Sequence, residues 1–424
     1  MQEINECSYF DYQKERVHAR KGKIGKYFDR EKIKHRKTRN RVNKVVEIDA
    51  TVCPQCGSSD ISKINGLTRK VTDLKFFESG AKRWITKYVT SKYICGRCKH
   101  AHTPKEYIEN ARQHYGHDLK CWTIFQHIVN KESFRQIESN CLEFFNIKLP
   151  SSSSHQFKRY IAEYYGYTQK KLLQRILNSH VIYVDETPFN LLSETVYAWV
   201  FTNGCEVVSL YKTTREGKFL KELLQDIKGV IVSDYYSAYD SIDSSQQKCL
   251  IHLMRDFNDD LLKNPFDNEL KFITQKFTVL LQGIVKTIDK YGLKKRHLNK
   301  HKKEVKAFFK NVFNKEYSSE VAQKYLQRLI KNKDKLFTFL NYDDVGWNNT
   351  NAEHAIKILA THRNMNIKFY RSSNIEDYLK VMSLYQTCEY KGISFLQFML
   401  SREVDFDKFT QKLGKTKKIR NSGN

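Results

Sequence analysis

The sequence predicts an α/β chain: a mixed sheet carrying a helical insertion, preceded by a small cysteine-held element and a helical segment. Three observations carry this prediction. Strand-like apolar runs follow one another from residue 181, and most other segments repeat at the helical period. Two Cys-x-x-Cys pairs, Cys53/Cys56 and Cys95/Cys98, flank a β-rich stretch. Two of the apolar runs, His180-Val-Ile-Tyr-Val-Asp185 and Gly229-Val-Ile-Val-Ser-Asp234, end in aspartate.

The 424 residues suffice for roughly three domains. A formal charge of +27 attracts polyanions, with nucleic acid the first candidate and an anionic membrane surface the second. No apolar stretch approaches the roughly 18 residues that a bilayer span needs, so no membrane partner is expected. The start, Met1-Gln-Glu-Ile-Asn-Glu6, lacks the basic and apolar regions of a secretory signal. In a cytoplasmic chain, paired cysteine knuckles mean metal rather than disulfides.

Residues 1–50 are polar and rich in Lys and Arg, as in Lys32-Ile-Lys-His-Arg-Lys37, and read as a basic arm. Residues 51–103 read as a zinc ribbon. Each Cys-x-x-Cys is a tight turn aiming two thiolates at one point. Together Cys53, Cys56, Cys95 and Cys98 make a closed, structural, tetrahedral zinc site. Such a site supplies folding energy that so small a piece lacks in its core. Residues 104–178 read as a helical DNA-binding segment. Apolar residues fall at helical spacing in Leu119–Val129 and Ser133–Phe145, and a run of serines opens a third helix, Ser152–Tyr165. A helix, a turn and a helix exposing His155, Lys158 and Arg159 resembles a helix-turn-helix, with Lys158 and Arg159 as DNA contacts.

Residues 179–402 form the main domain. Val181–Val184, Tyr197–Thr202 and Val207–Lys212 are three short strands with a turn at Asn203-Gly204. Arg215–Ile227 is an amphipathic helix, Val230–Ser233 a fourth strand and Lys248–His252 a fifth. Three antiparallel strands, a helix and further strands is the order of an RNase H-like core, in which the first and fourth strands are neighbours. A helical, lysine-rich insertion at about 257–345 interrupts it. Asn348–Lys357 opens another helix, Lys368–Tyr370 reads as a short strand, and Asp377–Tyr390 and Phe395–Met399 are closing helices. Residues 403–424 read as a mobile basic tail.

Asp185 and Asp234 would then stand side by side at matching strand ends, with Glu353 brought to them on its helix. Three carboxylates can hold two divalent ions, and hard oxygen ligands select Mg²⁺ or Mn²⁺. Ions about 3.5–4 Å apart perform in-line attack on phosphodiesters. Singly, each acid has a plainer role: a strand end, a turn, a first-turn glutamate favoured by the helix dipole. Glu186 follows Asp185 on the strand and points to the opposite face. Lys357, one turn after Glu353, and Arg363 and Arg371 are candidate phosphate contacts; His252 is a candidate support for the acids.

Four blocks occur in order: Val184-Asp-Glu-Thr187, Gly229-Val-Ile-Val-Ser-Asp-Tyr-Tyr-Ser-Ala-Tyr239, Cys249-Leu-Ile-His252-Leu-Met-Arg255-Asp256 and Asn348-Asn-Thr-Asn-Ala-Glu353. In these the chain resembles the DDE transposases of the insertion sequence 66 family along most of residues 180–400. The resemblance implies Asp185, Asp234 and Glu353 as catalytic acids on an RNase H-like core with two Mg²⁺ or Mn²⁺ ions. It implies a DNA transposase that binds the ends of its element, hydrolyses phosphodiesters and joins the freed 3′-OH ends to target DNA. Double-stranded DNA is the expected partner, with a homodimer pairing the two ends, accessory proteins of the same element, and a place at the bacterial nucleoid in the cytoplasm. The alternative is a catalytically silent, DNA-binding relative. The chain departs from the family pattern at His354, where an arginine usually follows the glutamate.

Overall fold

The structure, a computed structural model, describes residues 41–191, 194–364 and 372–421. Most of the expected basic arm, the expected strand Lys368–Tyr370 and Arg371 lie outside the described residues. The chain divides into two compact units, Met1–Gly116 and His117–Asn424.

The first unit is built on a long antiparallel hairpin, β2 (Ile61–Phe77) and β3 (Gly80–Cys95). β1 (Lys44–Glu47) joins β3 in parallel and β4 (Ala101–His102) joins it antiparallel; α1 (Lys105–Ala111) follows. Val71, Leu74, Ile85 and Tyr93 are among its buried side chains, mostly the β-branched and aromatic types that fit a pleated surface.

The second unit holds a five-stranded sheet in the order β7-β6-β5-β8-β9. β5 (Val181–Asn190), β6 (Thr195–Thr202) and β7 (Val207–Lys212) are antiparallel neighbours, and β8 (Val230–Ser233) and β9 (Gln246–Lys248) add in parallel. Val181 to Val184 and Val230 to Ser233 are all buried, as strands covered on both faces require. Between β6 and β7 the chain turns at Gly204, whose φ of +85° suits a residue without a Cβ. The expected fifth strand is shifted: β9 ends at Lys248, and a helix starts at Leu250.

α2 (His117–Ile128), α3 (Phe134–Phe145) and α4 (Ser151–Tyr164) match the expected helical periods, and α5 (Gly166–Leu177) follows them. Ser133 caps α3 by accepting the Gln136 N–H at 3.2 Å, and left-handed Asn146 ends it. These helices belong to the same compact unit as the sheet and do not stand apart from it. Gln169 of α5 donates to the Ser209 carbonyl of β7 at 3.1 Å.

After α6 (Lys218–Leu224), the insertion comprises α7 (Leu250–Lys263), α8 (Asn268–Tyr291), α9 (Lys302–Phe313) and α10 (Glu320–Lys331), joined by shorter turns. Asp267 and Ser319 cap α8 and α10. The insertion is no detached lobe. Phe257, Phe277, Phe308 and Phe337 share one apolar cluster with Val181 and Tyr183 of β5 and with Val230 and Val232 of β8. The insertion therefore covers the sheet face on which every second residue of those strands points.

α11 (Thr350–Asn364), α12 (Ser372–Tyr390), α13 (Phe395–Leu400) and α14 (Phe406–Asn421) complete the unit. The expected mobile tail is instead helical over α14, because Phe406 and Phe409 are buried against Phe398, and Asp405 and Asp407 pair with Lys171 and Arg175. Among the described residues, no helix is long and apolar enough to cross a membrane.

Candidate active site

β5 and β8 fix the positions of two acids. Their register pairs Tyr183 with Val232. Asp185 and Asp234 each lie two residues further on, so both fall at the same level and on the same face, the one the insertion covers. Asp234 Oδ1 accepts the Tyr236 N–H at 2.9 Å, an Asx turn that ends the strand and starts a short 3₁₀ segment. Glu186 faces the other way. Arg215 holds it through Nε at 2.8 Å, and the Tyr239 hydroxyl donates to it at 3.1 Å.

Glu353 arrives from the far side of the insertion, on the first turn of α11. The loop before it is fastened to β5 twice. The Gly346 N–H donates to the Tyr183 hydroxyl at 3.1 Å, and the buried Asn349 side chain donates to the Val184 carbonyl at 2.9 Å. A Cβ on Gly346 would stand 2.8 Å from that hydroxyl, so only glycine allows the approach. One residue after Val184 comes Asp185, and one turn after Asn349 comes Glu353, whose N–H bonds the Asn349 carbonyl at 3.0 Å.

Asp185 feels the other two acids. Burial first, then the charges of Asp234, Glu186 and Glu353, push the Asp185 carboxyl up to about 8. A buried carboxyl crowded by other carboxylates favours a proton, or a cation in its place. Lys248 lies buried beside it, donating through Nζ to the Asp234 carbonyl at 3.0 Å and the Ser233 hydroxyl at 3.3 Å. Burial lowers that amine to about 8.

His252 joins the group, with Nδ1 3.8 Å from Glu353 Oε1. Cys249, which precedes α7, lies 4.0 Å from the same oxygen and accepts the Asn349 N–H at 3.2 Å. Burial pushes its thiol up, against the backbone N–H groups of His252, Asn349 and Ile251. Of the expected DNA contacts, Lys158 departs furthest: it is 4 % exposed, so it is not on the outer face of α4 as expected. Helical spacing set it beside Phe157 on the packed side, and burial lowers its amine to about 8. Arg159 is exposed and pairs with Glu163 at 2.8 Å. Lys357 is exposed, whereas Arg363 is half-buried and donates to the Pro188 carbonyl of β5.

A second centre lies in the first unit. Cys53, Cys56, Cys95 and Cys98 come together, with Sγ atoms 3.6 Å apart in the pairs Cys53/Cys98 and Cys56/Cys95. The two knuckles repeat one geometry. Gly57 N–H returns to the Cys53 carbonyl at 2.9 Å and Lys99 N–H to the Cys95 carbonyl at 3.0 Å, each residue with positive φ. The backbone N–H of Cys98 chiefly draws the Cys95 thiol down to about 7. The set could hold one metal ion.

The family model described as Transposase IS66 family matches residues 115–375, more than half of the chain. The chain belongs to the IS66 transposase family. The matched stretch spans both strand-end aspartates, the insertion and Glu353. No curated protein matches the chain. Membership of this DDE-type family agrees with a DNA substrate and divalent-metal use. Sequence reasoning missed Lys248, Asn349 and Arg215. Of these, only Asn349 carried a signal, since it stands in the same block as Glu353.

Because the folded Asp185 carboxyl titrates near 8 and its ordinary value is 3.8, the folded chain keeps a proton there that the unfolded chain has released. Its contribution to stability is full below about pH 4 and is lost as pH rises toward 8. Without divalent ions at the acids, Asp185→Asn should be about 1–3 kcal/mol more stable than wild type at pH 8. That gain should vanish near pH 4 in thermal unfolding. Parallel pH profiles for the two proteins would contradict the assignment.

Proposed function

We propose that this transposase-family chain cuts and joins DNA with two divalent ions held by Asp185, Asp234 and Glu353 on an RNase H-like core. The observation that carries the reading is the convergence of the acids: two aspartates at one level of adjacent parallel strands, and a glutamate near enough to raise Asp185. The sheet order, with antiparallel β7-β6-β5 extended by parallel β8 and β9, supports the RNase H-like assignment.

Bound Mg²⁺ or Mn²⁺ would supply activation of the attacking oxygen and stabilisation of the leaving one. The chain's own groups prepare the place. β5 and β8 set the spacing of the two aspartates, and Asn349 fixes the start of the helix that brings the third carboxylate. Arg215 and Tyr239 hold Glu186 on the other face of β5, so the ligand set is the three acids. Lys248 fixes the Asp234 backbone from behind. The same set serves two steps, because hydrolysis and strand transfer are both in-line displacements at phosphorus. Water is the nucleophile in the first and the freed 3′-OH in the second.

DNA contact rests on the +27 charge, with Arg159 and Lys357 as exposed candidates. We read the four-cysteine set as a structural zinc ribbon, on donor type and closure. Two ends must be paired for joining, so we expect a dimer on DNA, with accessory proteins of the same element as further partners. A DNA-cutting role places the chain at the nucleoid.

Purified protein, Mg²⁺ and DNA carrying the sequences that flank its gene should give strand breaks at the element ends and joined products. Asp234→Asn should lower both by ~100-fold or more, since metal stabilisation is worth several kcal/mol. Tight binding without cleavage by wild type would point to the silent DNA-binding relative. For the ribbon, one firmly held zinc per chain is expected by elemental analysis. Cys53→Ser should lose it and open residues 41–116 to protease. Zinc retained in full by that variant would contradict the ligand set.

A further inference from the structure

Beside the acids lies a second donor set of a different chemical kind. Cys249, His252 and Glu353 each offer one ligand atom, all within 4.8 Å of one another. Glu353 Oε1 is 4.0 Å from Cys249 Sγ and 3.8 Å from His252 Nδ1. Donors around a tetrahedral ion at ordinary Zn–S, Zn–N and Zn–O lengths stand roughly 3.3–3.8 Å apart, so the two distances to Glu353 need shorten by only a few tenths of an ångström to close on an ion.

Three features suit these atoms to a cation. The Nδ1 atom of His252 is buried and makes no hydrogen bond, an expensive state for an imidazole nitrogen unless a ligand takes it. The Cys249 side chain is fully buried just ahead of α7, where backbone N–H groups of Ile251, His252 and Asn349 point at its sulfur. The spacing Cys249-x-x-His252 places both donors at that helix start on one side, and the fastening of Asn349 to β5 brings Glu353 to them.

We infer that Cys249, His252 and Glu353 form a soft-donor metal site for a thiophilic divalent ion such as Zn²⁺, sharing Glu353 with the acid triad. A thiolate and an imidazole select Zn²⁺ or Co²⁺ over Mg²⁺, and three protein ligands leave a fourth position open. The shared carboxylate makes the two sites compete. An ion on the soft side draws Glu353 from the hard side, so Zn²⁺ acts as an inhibitor of Mg²⁺-dependent chemistry. This consequence rests on the transposase reading; the site itself does not.

The test uses full-length protein with its four-cysteine set already filled by Zn²⁺, titrated with Co²⁺ and followed by thiolate-to-cobalt absorption in the near ultraviolet. Wild type should bind one further Co²⁺ with that band. Cys249→Ser should lose the band. His252→Ala, altering a partly exposed side chain, should weaken binding ~10-fold or more. Asp185→Asn should keep the band. Absence of the band in wild type, or a band unchanged in both Cys249→Ser and His252→Ala, overturns the site. In cleavage assays scored against each protein's own zinc-free rate, micromolar Zn²⁺ should inhibit wild type by a larger fraction than His252→Ala; equal fractional inhibition of both overturns the competition. Cobalt bound with its band by a protein that cuts no DNA upholds the site and counts only against the transposase reading.

Discussion

A single hydrogen bond at the base of the insertion sets the geometry on which the site depends. The Asn349 amide donates to the Val184 carbonyl at 2.9 Å, inside the fold, one residue before Asp185. A long helical insertion separates Asp234 from Glu353, and the chain must return from it to within a few ångströms of where it left. The buried amide defines that return. Leaving the Val184 carbonyl unpaired in the core would cost about 1–3 kcal/mol, so the register of α11 on β5 is strongly specified. The contact of Gly346 with Tyr183 repeats the fastening one strand position earlier on the same face as Asp185. The Cys249 sulfur, accepting the Asn349 N–H, ties the start of α7 to the same point.

Electrostatics then follow from packing. The insertion roofs the sheet face that bears both aspartates, which draws Asp185 away from water and sets the charges of Asp234, Glu186 and Glu353 against it. That is the physical origin of the raised Asp185. The surrounding cations do not relieve it directly. Arg215 is committed to Glu186, and Lys248 points to backbone and hydroxyl oxygens. The unit holds negative charge in a confined place within a strongly basic chain, an arrangement suited to divalent ions on the inside and a polyanion outside.

Much of this was legible in the residues. An apolar run closed by aspartate reads directly as a covered strand with an acid at its end, and β8 falls where expected. The four-cysteine knuckles were equally plain, because two tight turns bearing paired thiols leave few alternatives. Less legible were features set by partners rather than by period. Helical spacing assigns faces but not what covers them, so Lys158 was placed outward and lies buried. The last helix looked like a free tail because its anchors, Phe406 and Phe409, meet Phe398 only in the folded unit. Lys248 gave no sign at all: a lysine at a strand end is ordinary until the strand is inserted beside β8.

The proposed chemistry turns on three carboxylates acting as one ligand set for two ions. The most direct test counts Mn²⁺ bound to wild type on duplex DNA of the element end, and reads magnetic coupling between the ions by electron paramagnetic resonance. Two coupled Mn²⁺ per chain, with coupling lost in Asp185→Asn, Asp234→Asn and Glu353→Gln alike, is the predicted result. A coupled pair that survives any one of these substitutions, or isolated ions in wild type, would contradict it.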